Sequence, residues 1–147
     1  MPLVIVVTLL SIALTTVMHF EALRLLSAAL PALRIPPRSK VLVAIFAALF
    51  AHALEIAVYG VVFFLLIQHG EVGAFDSRTP LSLVECLYFS AETYTSLGFG
   101  DVTPEGPIRL MAGAEALNGL LLIGWSASYA HIVMERFMGP DKAERRP

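Results

Sequence analysis

The stretch Thr93-Tyr94-Thr95-Ser96-Leu97-Gly98-Phe99-Gly100-Asp101 decides how the rest of this sequence is interpreted. Two glycines bracket one aromatic residue, hydroxyl side chains precede them, and a carboxylate follows. Because glycine reaches backbone conformations that other residues avoid, such a loop can turn successive carbonyl groups toward one side. The segments on both sides are apolar and long enough to span a bilayer. An irregular loop at membrane depth is tolerated only where protein or a water-filled path surrounds it.

The composition indicates a membrane protein of a single domain. The chain has 147 residues, of which 57% are hydrophobic and 15% are charged, which is too apolar for an ordinary soluble domain. The single cysteine, Cys86, excludes an intrachain disulfide and a cysteine-based zinc motif. The net charge of −2, without a basic patch, argues against nucleic acid as a partner.

Three segments are predicted to be membrane spans. The first is apolar from Leu3 to Met18 and reaches the necessary length of about 20 residues if it continues to Arg24. The second runs from Val41 to Gln68, and the third from Ile108 to Met138. The hydroxyl residues of the first span can bond back to carbonyl groups of their own helix. Prolines are expected to end that helix, at positions Pro31, Pro36 and Pro37.

A shorter helix is predicted between the second and third spans. It runs from Pro80 to about Thr95, some four turns, which is too short to cross a bilayer. Thr79 is the expected N-cap with proline at the first helical position. Ser82 and Glu85 have the spacing of a capping box.

The residues from Ser90 to Asp101 resemble the end of the pore helix and the selectivity filter of the potassium channel family. The resemblance extends over about Val41 to Phe137 and implies an all-α membrane protein with three transmembrane helices, a re-entrant pore helix and a filter loop. Each chain carries one such loop, so four chains are needed to ring a filter, and a homotetramer is expected. In this family, rings of backbone carbonyls replace the hydration shell of K⁺.

The resemblance also implies which residues hold K⁺ ions; no organic cofactor is expected. The Ser96 hydroxyl and carbonyl would form the innermost site, and the carbonyls of the next residues would form the outer sites. The Glu92 and Asp101 carboxylates would pair behind the filter, with one of them keeping a proton. The alternative is that each faces water. The full set of filter residues is Thr95, Ser96, Leu97, Gly98, Phe99 and Gly100.

Three filter positions depart from the commonest pattern of the family. Many members have Thr where Ser96 stands, Val or Ile where Leu97 stands, and Tyr where Phe99 stands. Ser96 keeps the hydroxyl group, but Phe99 cannot donate the hydrogen bond that a Tyr hydroxyl would give to the pore helix. A filter held less firmly leaves open a non-selective cation channel as the alternative to a potassium channel.

The third span has a stripe of side chains spaced by four residues, Ile123, Ala127, His131 and Glu135. By the resemblance this stripe lines the inner pore, and Gly119 aligns with a hinge glycine. The alternative for Gly119 is close helix packing. One hypothesis is that protonation of His131 opposes cation flow. The other is that His131 is neutral and packed or hydrogen-bonded between helices.

Polar side chains near the middle of the spans need partners, because unpaired charge in the bilayer is costly. His52 and Glu55 share one face of the second span, and Glu115 is expected to contact the pore helix through Thr93 or Tyr94. Such groups either fix helix packing or couple protonation to the gate, and both interpretations stay open. The candidate partners of His52 and Glu55 on the third span are Asn118, Trp125 and Ser126.

The sequence divides into three parts. Residues 1–40 are an extra N-terminal helix, expected on the periphery, with a basic cytoplasmic connector; 41–138 are the pore module; and 139–147 are a short cytoplasmic tail. A pore loop of this family enters from outside, so the amino terminus is external. Eight of the ten Lys and Arg residues then lie inside, in agreement with the positive-inside rule. We expect an integral protein of a prokaryotic inner membrane, surrounded by lipid.

The predicted function is conduction of K⁺ down its electrochemical gradient. Arg24 alone cannot supply the gating charges of a voltage sensor. The expected channel is either leak-like or regulated by pH or lipid. A non-conducting modulatory membrane subunit is the alternative from another class. An enzyme is not expected, because His52, Glu55 and Glu115 have neither metal-ligand nor triad spacing.

Overall fold

The computed structural model of the chain describes residues 1–70, 72–77 and 80–139. It is mostly helical, with one small antiparallel sheet of two strands. The sheet joins the segment before the short helix to the segment after it, with Phe75 opposite Pro104. The elements in chain order are α1 (Pro2–Ala32), α2 (Pro37–Gly70), β1 (Ala74–Asp76), α3 (Leu83–Tyr94), β2 (Thr103–Glu105) and α4 (Ile108–Met138).

Three helices, α1, α2 and α4, are long and apolar enough to cross a membrane, which confirms the three predicted spans. The bounds of α4 agree with the prediction. α1 ends at Ala32, between Pro31 and Pro36, in agreement with the prediction that these prolines end the helix. Lys40 Nζ donates to the Pro31 carbonyl at 3.2 Å and so caps this end. Lys40 lies in α2 rather than in a connector, because α2 begins at Pro37.

The short helix α3 begins three residues later than predicted. Its N-cap is Ser82, whose hydroxyl accepts a hydrogen bond from the Glu85 N–H at 3.1 Å. The capping-box spacing therefore decided the start, and Pro80 lies outside the helix. Thr79, the expected N-cap, lies outside the described residues. α3 ends at Tyr94, close to the predicted end.

The buried face of α1 is partly polar, while most of its large apolar side chains are exposed, as expected for a helix in lipid. Two of its threonines bond back to their own helix as predicted, Thr8 to the Val4 carbonyl at 2.7 Å and Thr15 to the Ser11 carbonyl at 2.9 Å. α1 packs against both α2 and α4. Its buried face consists of Val4, Thr8, Ser11, Thr15, His19, Leu23 and Leu30.

Two glycines allow α3 to approach its neighbours closely. A Cβ atom on Gly60 of α2 would lie 3.0 Å from the Leu87 Cα atom. A Cβ atom on Gly119 of α4 would lie 2.2 Å from the Tyr94 carbonyl oxygen, a distance that real atoms do not adopt. The backbone of α3 is thus fixed between α2 and α4 at both positions. Aromatic packing adds to this at the other end, where Phe63 meets Phe89 edge to face at 5.1 Å.

Candidate ion pathway

The loop after α3 begins with a helix-ending motif. The Leu97 N–H donates to the Glu92 carbonyl at 2.9 Å, and the Ser96 N–H donates to the Thr93 carbonyl at 3.0 Å. This pair of bonds is a Schellman motif, with Ser96 in the left-handed region at φ 57°. Glycine is the usual residue there, since other residues pay about 1–2 kcal/mol for this conformation.

Beyond Ser96 the loop alternates in backbone handedness. Gly98 has φ 56° and Gly100 has φ 77°, whereas Leu97 and Phe99 between them do not have positive φ. In an extended strand, successive carbonyls point to opposite sides. An alternation of left-handed residues removes that pattern and allows neighbouring carbonyls to point to the same side. The loop is exposed in the single chain, with Leu97 58% and Phe99 67% accessible.

A tyrosine lies behind this loop, where a carboxylate pair was expected. The Tyr88 hydroxyl donates to Asp101 Oδ2 at 3.0 Å. Hydrogen bonding to Glu92, followed by burial and the Asp101 contact, raises the pKa of Tyr88, so the phenol stays a neutral donor. Within the described residues Glu92 and Asp101 share no hydrogen bond, and the buried Glu92 Oε1 has no partner. The sequence interpretation missed this role of Tyr88.

The stripe on α4 lies mainly on the outer surface of the single chain. Ile123 is half-buried against the main core, while Ala127, His131 and Glu135 are exposed. His131 Nε2 lies 3.6 Å from Glu135 Oε1, with both side chains about 70% exposed. Within one chain His131 therefore contacts its own helix and is not packed between helices. Gly119 packs closely against Tyr94, which agrees with the second interpretation of this glycine, that it allows close helix packing.

The four helices meet at a cluster of polar side chains. His19 of α1 contributes Nδ1, which lies 2.9 Å from Glu55 Oε1, and His52 Nδ1 lies 3.1 Å from Glu55 Oε2. The Tyr94 hydroxyl of α3 donates to Glu55 Oε2 and lies 2.9 Å from His52 Nδ1. Ser126 Oγ of α4 is 3.0 Å from His52 Nε2 and 3.3 Å from His19 Nε2. His19 and Glu55 are fully buried.

Of the three partners predicted on the third span, the structure confirms Ser126. Asn118 instead donates to the Thr15 hydroxyl at 2.8 Å and to the Tyr59 hydroxyl at 3.1 Å. Trp125 packs its ring 5.5 Å from that of His19. His19 itself was missed. Its signal in the sequence is the polar face of α1, on which Thr8, Ser11, Thr15 and His19 recur every three or four residues.

Glu115 contacts α3, but at a different residue from those expected. Its Oε1 is 2.5 Å from Ser90 Oγ rather than beside Thr93 or Tyr94. Ser90 Oγ is also 2.9 Å from the Ile56 carbonyl oxygen. Since one hydroxyl has one hydrogen, both contacts are hydrogen bonds only if Glu115 carries a proton and donates it to Ser90.

A groove of about 490 Å³ runs between α2, α4 and the end of α3. His52 and Ser126 of the polar cluster line it, together with Thr95 of the loop and Ile123 and Ala127 of the stripe. The same surface thus contains the start of the loop, the stripe and one edge of the buried cluster. A second hollow, of about 640 Å³, lies beside the other end of the loop; its acidic lining residues are Asp76, Glu85 and Asp101.

The sequence model of one family, described as "Ion channel", a pore-domain family with two transmembrane helices, matches residues 51–136. The protein LctB of Bacillus caldotenax is 51% identical over 47 residues, which are 31% of this chain and 35% of that relative. The match thus spans about a third of the length of LctB. No solved structure matches.

Proposed function

Because the chain belongs to this ion channel family, we propose that it forms a potassium-selective pore in which four copies surround one axis. K⁺ ions would pass along the carbonyls of the loop 95–100 and then between the four α4 helices. The observation that carries this proposal is the alternating handedness of that loop at Gly98 and Gly100, directly after a helix of half the membrane-spanning length. Such a backbone is suited to present a row of carbonyl oxygens.

The small sheet supports a re-entrant role for α3. β1 precedes α3 and β2 follows the loop, and the two strands pair along their length. Ala74 and Glu105, the two ends of the segment that contains α3, therefore lie side by side. A segment of this kind would enter the membrane and leave it on the same face. The acidic residues of the hollow beside the loop would raise the local concentration of cations at that entrance.

The single chain leaves surfaces uncovered that a tetramer would cover. Leu97 and Phe99 are more than half exposed, although they lie in the loop that the proposal places at the axis. Ala127 and His131 would face the axis below them. A loop of one chain offers carbonyls from one side only, so a cation needs the other copies for complete coordination. The apolar outer faces of α1 and α2 would contact lipid.

The arrangement in the membrane follows from the distribution of cations. We propose an external amino terminus, residues 1–40 as an added helix and connector, a pore module at 41–138, and the inner membrane of a prokaryote as location. Arg34, Arg38 and Arg136 would then lie on the cytoplasmic side, in accordance with the positive-inside rule. The tail residues 140–147 lie outside the described residues.

A non-selective cation channel is the second candidate, and one observation favours it. The Phe99 ring is 67% exposed in the chain and has no hydroxyl to anchor the loop to α3. A loop that adapts its width would discriminate less between K⁺ and Na⁺. Both candidates require the same backbone at Gly98, so they separate only by the ions that pass.

The proposal is tested by cation flux into liposomes that contain the purified chain. With a K⁺ gradient we expect flux that Na⁺ does not replace, and Gly98→Ala should lower it at least tenfold. A Cβ at Gly98 meets no atom within 4 Å, so the loss would come from the backbone conformation, whose cost is about 1–2 kcal/mol, and not from a clash.

Gly113→Ala is the matched control, because its Cβ also has no neighbour within 4 Å but its backbone is helical. It should conduct as the natural chain does. Equal flux of Na⁺ and K⁺, lost in Gly98→Ala, would establish the non-selective channel. No flux from a well-assembled oligomer, over a range of pH, would contradict both and favour a non-conducting subunit.

A further inference from the structure

We propose that His19, His52 and Glu55 bind one transition-metal ion of the Zn²⁺ class at the point where the four helices meet. The two histidines and the carboxylate each offer one ligand atom, and these atoms all lie within 4.8 Å of one another. The two histidines come from different helices, so a bound ion would link α1 to α2. The site does not depend on the proposed conduction of ions.

The distances between the donor atoms agree with those around a single metal ion. A tetrahedral zinc ion with bonds of about 2.0–2.1 Å separates its ligand atoms by about 3.3 Å. The two histidine nitrogens lie 2.9 Å and 3.1 Å from the two oxygens of Glu55. Both nitrogens are Nδ1, and both point to the same carboxylate, so only small shifts are needed to admit an ion.

The opposite edges of the two imidazoles meet one acceptor. Ser126 Oγ is within hydrogen-bonding distance of Nε2 of His52 and of His19, at 3.0 Å and 3.3 Å. A metal-bound histidine donates its other ring N–H, and a hydroxyl oxygen can accept two such bonds. Ser126 would therefore orient both rings with Nδ1 free for the metal. The Tyr94 hydroxyl in turn donates to Glu55, which fixes the carboxylate.

Apart from its two histidines, the cluster contains no group that can carry a positive charge. Glu55 is fully buried, and in the described part of the chain no lysine or arginine pairs with it. With both histidines neutral, the cluster has four hydrogens, one each from Tyr94, Ser126 and the two imidazoles. They must serve six close contacts. A cation between the Nδ1 atoms and the carboxylate removes the shortage, because two of these contacts, those of His19 and His52 with Glu55, become metal–ligand edges.

The donor set selects the class of ion, and the groove supplies a path to it. Imidazole nitrogen suits Zn²⁺ and similar metals, whereas Mg²⁺ and Ca²⁺ prefer oxygen ligands. The His52 side chain is 13% exposed and lines the groove between α2 and α4. An ion can thus enter from the groove, and a water molecule or Tyr94 can complete its coordination.

The test is metal binding by the purified full chain in detergent, with Zn²⁺ measured by calorimetry and Co²⁺ by visible absorption. We expect one ion per chain and the intense absorption of tetrahedral Co²⁺. His19→Ala and Glu55→Gln should each weaken binding at least tenfold. Ser126→Ala keeps all three ligands and should weaken binding about tenfold or more by loss of ring orientation.

The controls are the two exposed histidines, through His69→Ala and His131→Ala, which should bind Zn²⁺ as the natural chain does. Elution volume and helix content identify variants that fail to fold. If His19→Ala fails to fold, Zn²⁺ binding by Ser126→Ala still tests the proposal. Equal binding by the natural chain and Glu55→Gln would overturn the proposal. Loss of Zn²⁺ binding in His131→Ala would also overturn it. So would the absence of any Zn²⁺ binding by the natural chain, because a proton would then occupy the place of the metal. None of these results depends on ion flux.

Discussion

At the scale of single residues, the contacts between buried polar side chains depend on how many hydrogen atoms these side chains can donate. Ser90 is close to two acceptors but has one hydrogen, so Glu115 must supply the second. Tyr88 keeps its hydrogen because neighbouring carboxylates raise its pKa, Glu92 most strongly, and it donates to Asp101. Each of these side chains joins α3 to another segment, so the protonation states decide how α3 is held.

Substitution of Glu115 tests its protonated state. In Glu115→Gln the amide N–H can replace the acid as donor to Ser90, so we expect stability within about 1 kcal/mol of the natural chain. Glu115→Ala leaves a cavity and removes the donor, at a cost of about 2–4 kcal/mol. Denaturant unfolding in detergent measures both. A Gln variant as unstable as the Ala variant would contradict the protonated state.

The contacts of single residues could be predicted only where helix spacing carried the information. His52 and Glu55 were recognisable because they lie three positions apart on one span, and counting along the antiparallel helix gave Ser126 as a partner. His19 was not recognisable in this way, because the sequence does not show against which helices α1 packs. The Ser90 contact of Glu115 was missed because the rotation of a short helix is set by its neighbours.

At the scale of secondary-structure elements, α3 is positioned by backbone contact on α2 and α4. Gly60 and Gly119 each leave out a side chain where α3 comes closest. Helices that approach so closely gain van der Waals contact along their backbones. The loop begins directly after Tyr94, the last residue of α3 and the one that meets Gly119, so the position of the loop depends on this contact.

Gly119→Ala should therefore displace α3. Its Cβ would lie 2.2 Å from the Tyr94 carbonyl oxygen, and overpacking of this kind costs about 1–3 kcal/mol. Gly124→Ala on the same helix is the matched control, since its Cβ meets nothing within 4 Å and alanine favours a helix. The comparison is made by thermal unfolding in detergent. Equal midpoints for the two variants would show that the close approach is not needed.

The ends of elements were predictable where a strong local signal stood alone. α4 has the expected bounds because Pro107 and Gly139 flank it. The start of α3 was predicted three residues early because Pro80 and Ser82 both signal a beginning, and the capping hydrogen bond at Ser82 prevailed. The end of α1 at Ala32 was predictable because Pro31 and Pro36 flank it.

At the scale of the whole molecule, the chain buries several polar groups beside its apolar core and leaves many large apolar side chains exposed. α1 contributes His19 and Thr15 to the interior, where they contact Glu55 and Asn118 and add to the partners that these two residues have on the other helices. The added helix is thus an integral part of the bundle, although the match to the ion channel family begins only at residue 51.

Removal of residues 1–33 should consequently prevent assembly, because Glu55 would face lipid without His19. We expect the shortened chain to aggregate in size-exclusion chromatography, and co-expression of residues 1–33 as a separate segment to restore the natural elution volume. Removal of residues 140–147 serves as the control and should have no effect. A shortened chain that elutes and melts like the natural one would return α1 to the peripheral role expected from the sequence.

The small sheet has a consequence for the order in which this chain folds. Its pairing of Ala74 with Glu105 closes a loop of about 30 residues that contains α3 and the turn after it. Closing a flexible loop of that length costs about 3 kcal/mol of chain entropy. α3 gains enough contacts to offset this only after α2 and α4 stand side by side. We therefore expect the two long helices to come together first and the part of the chain that would select ions to become ordered last.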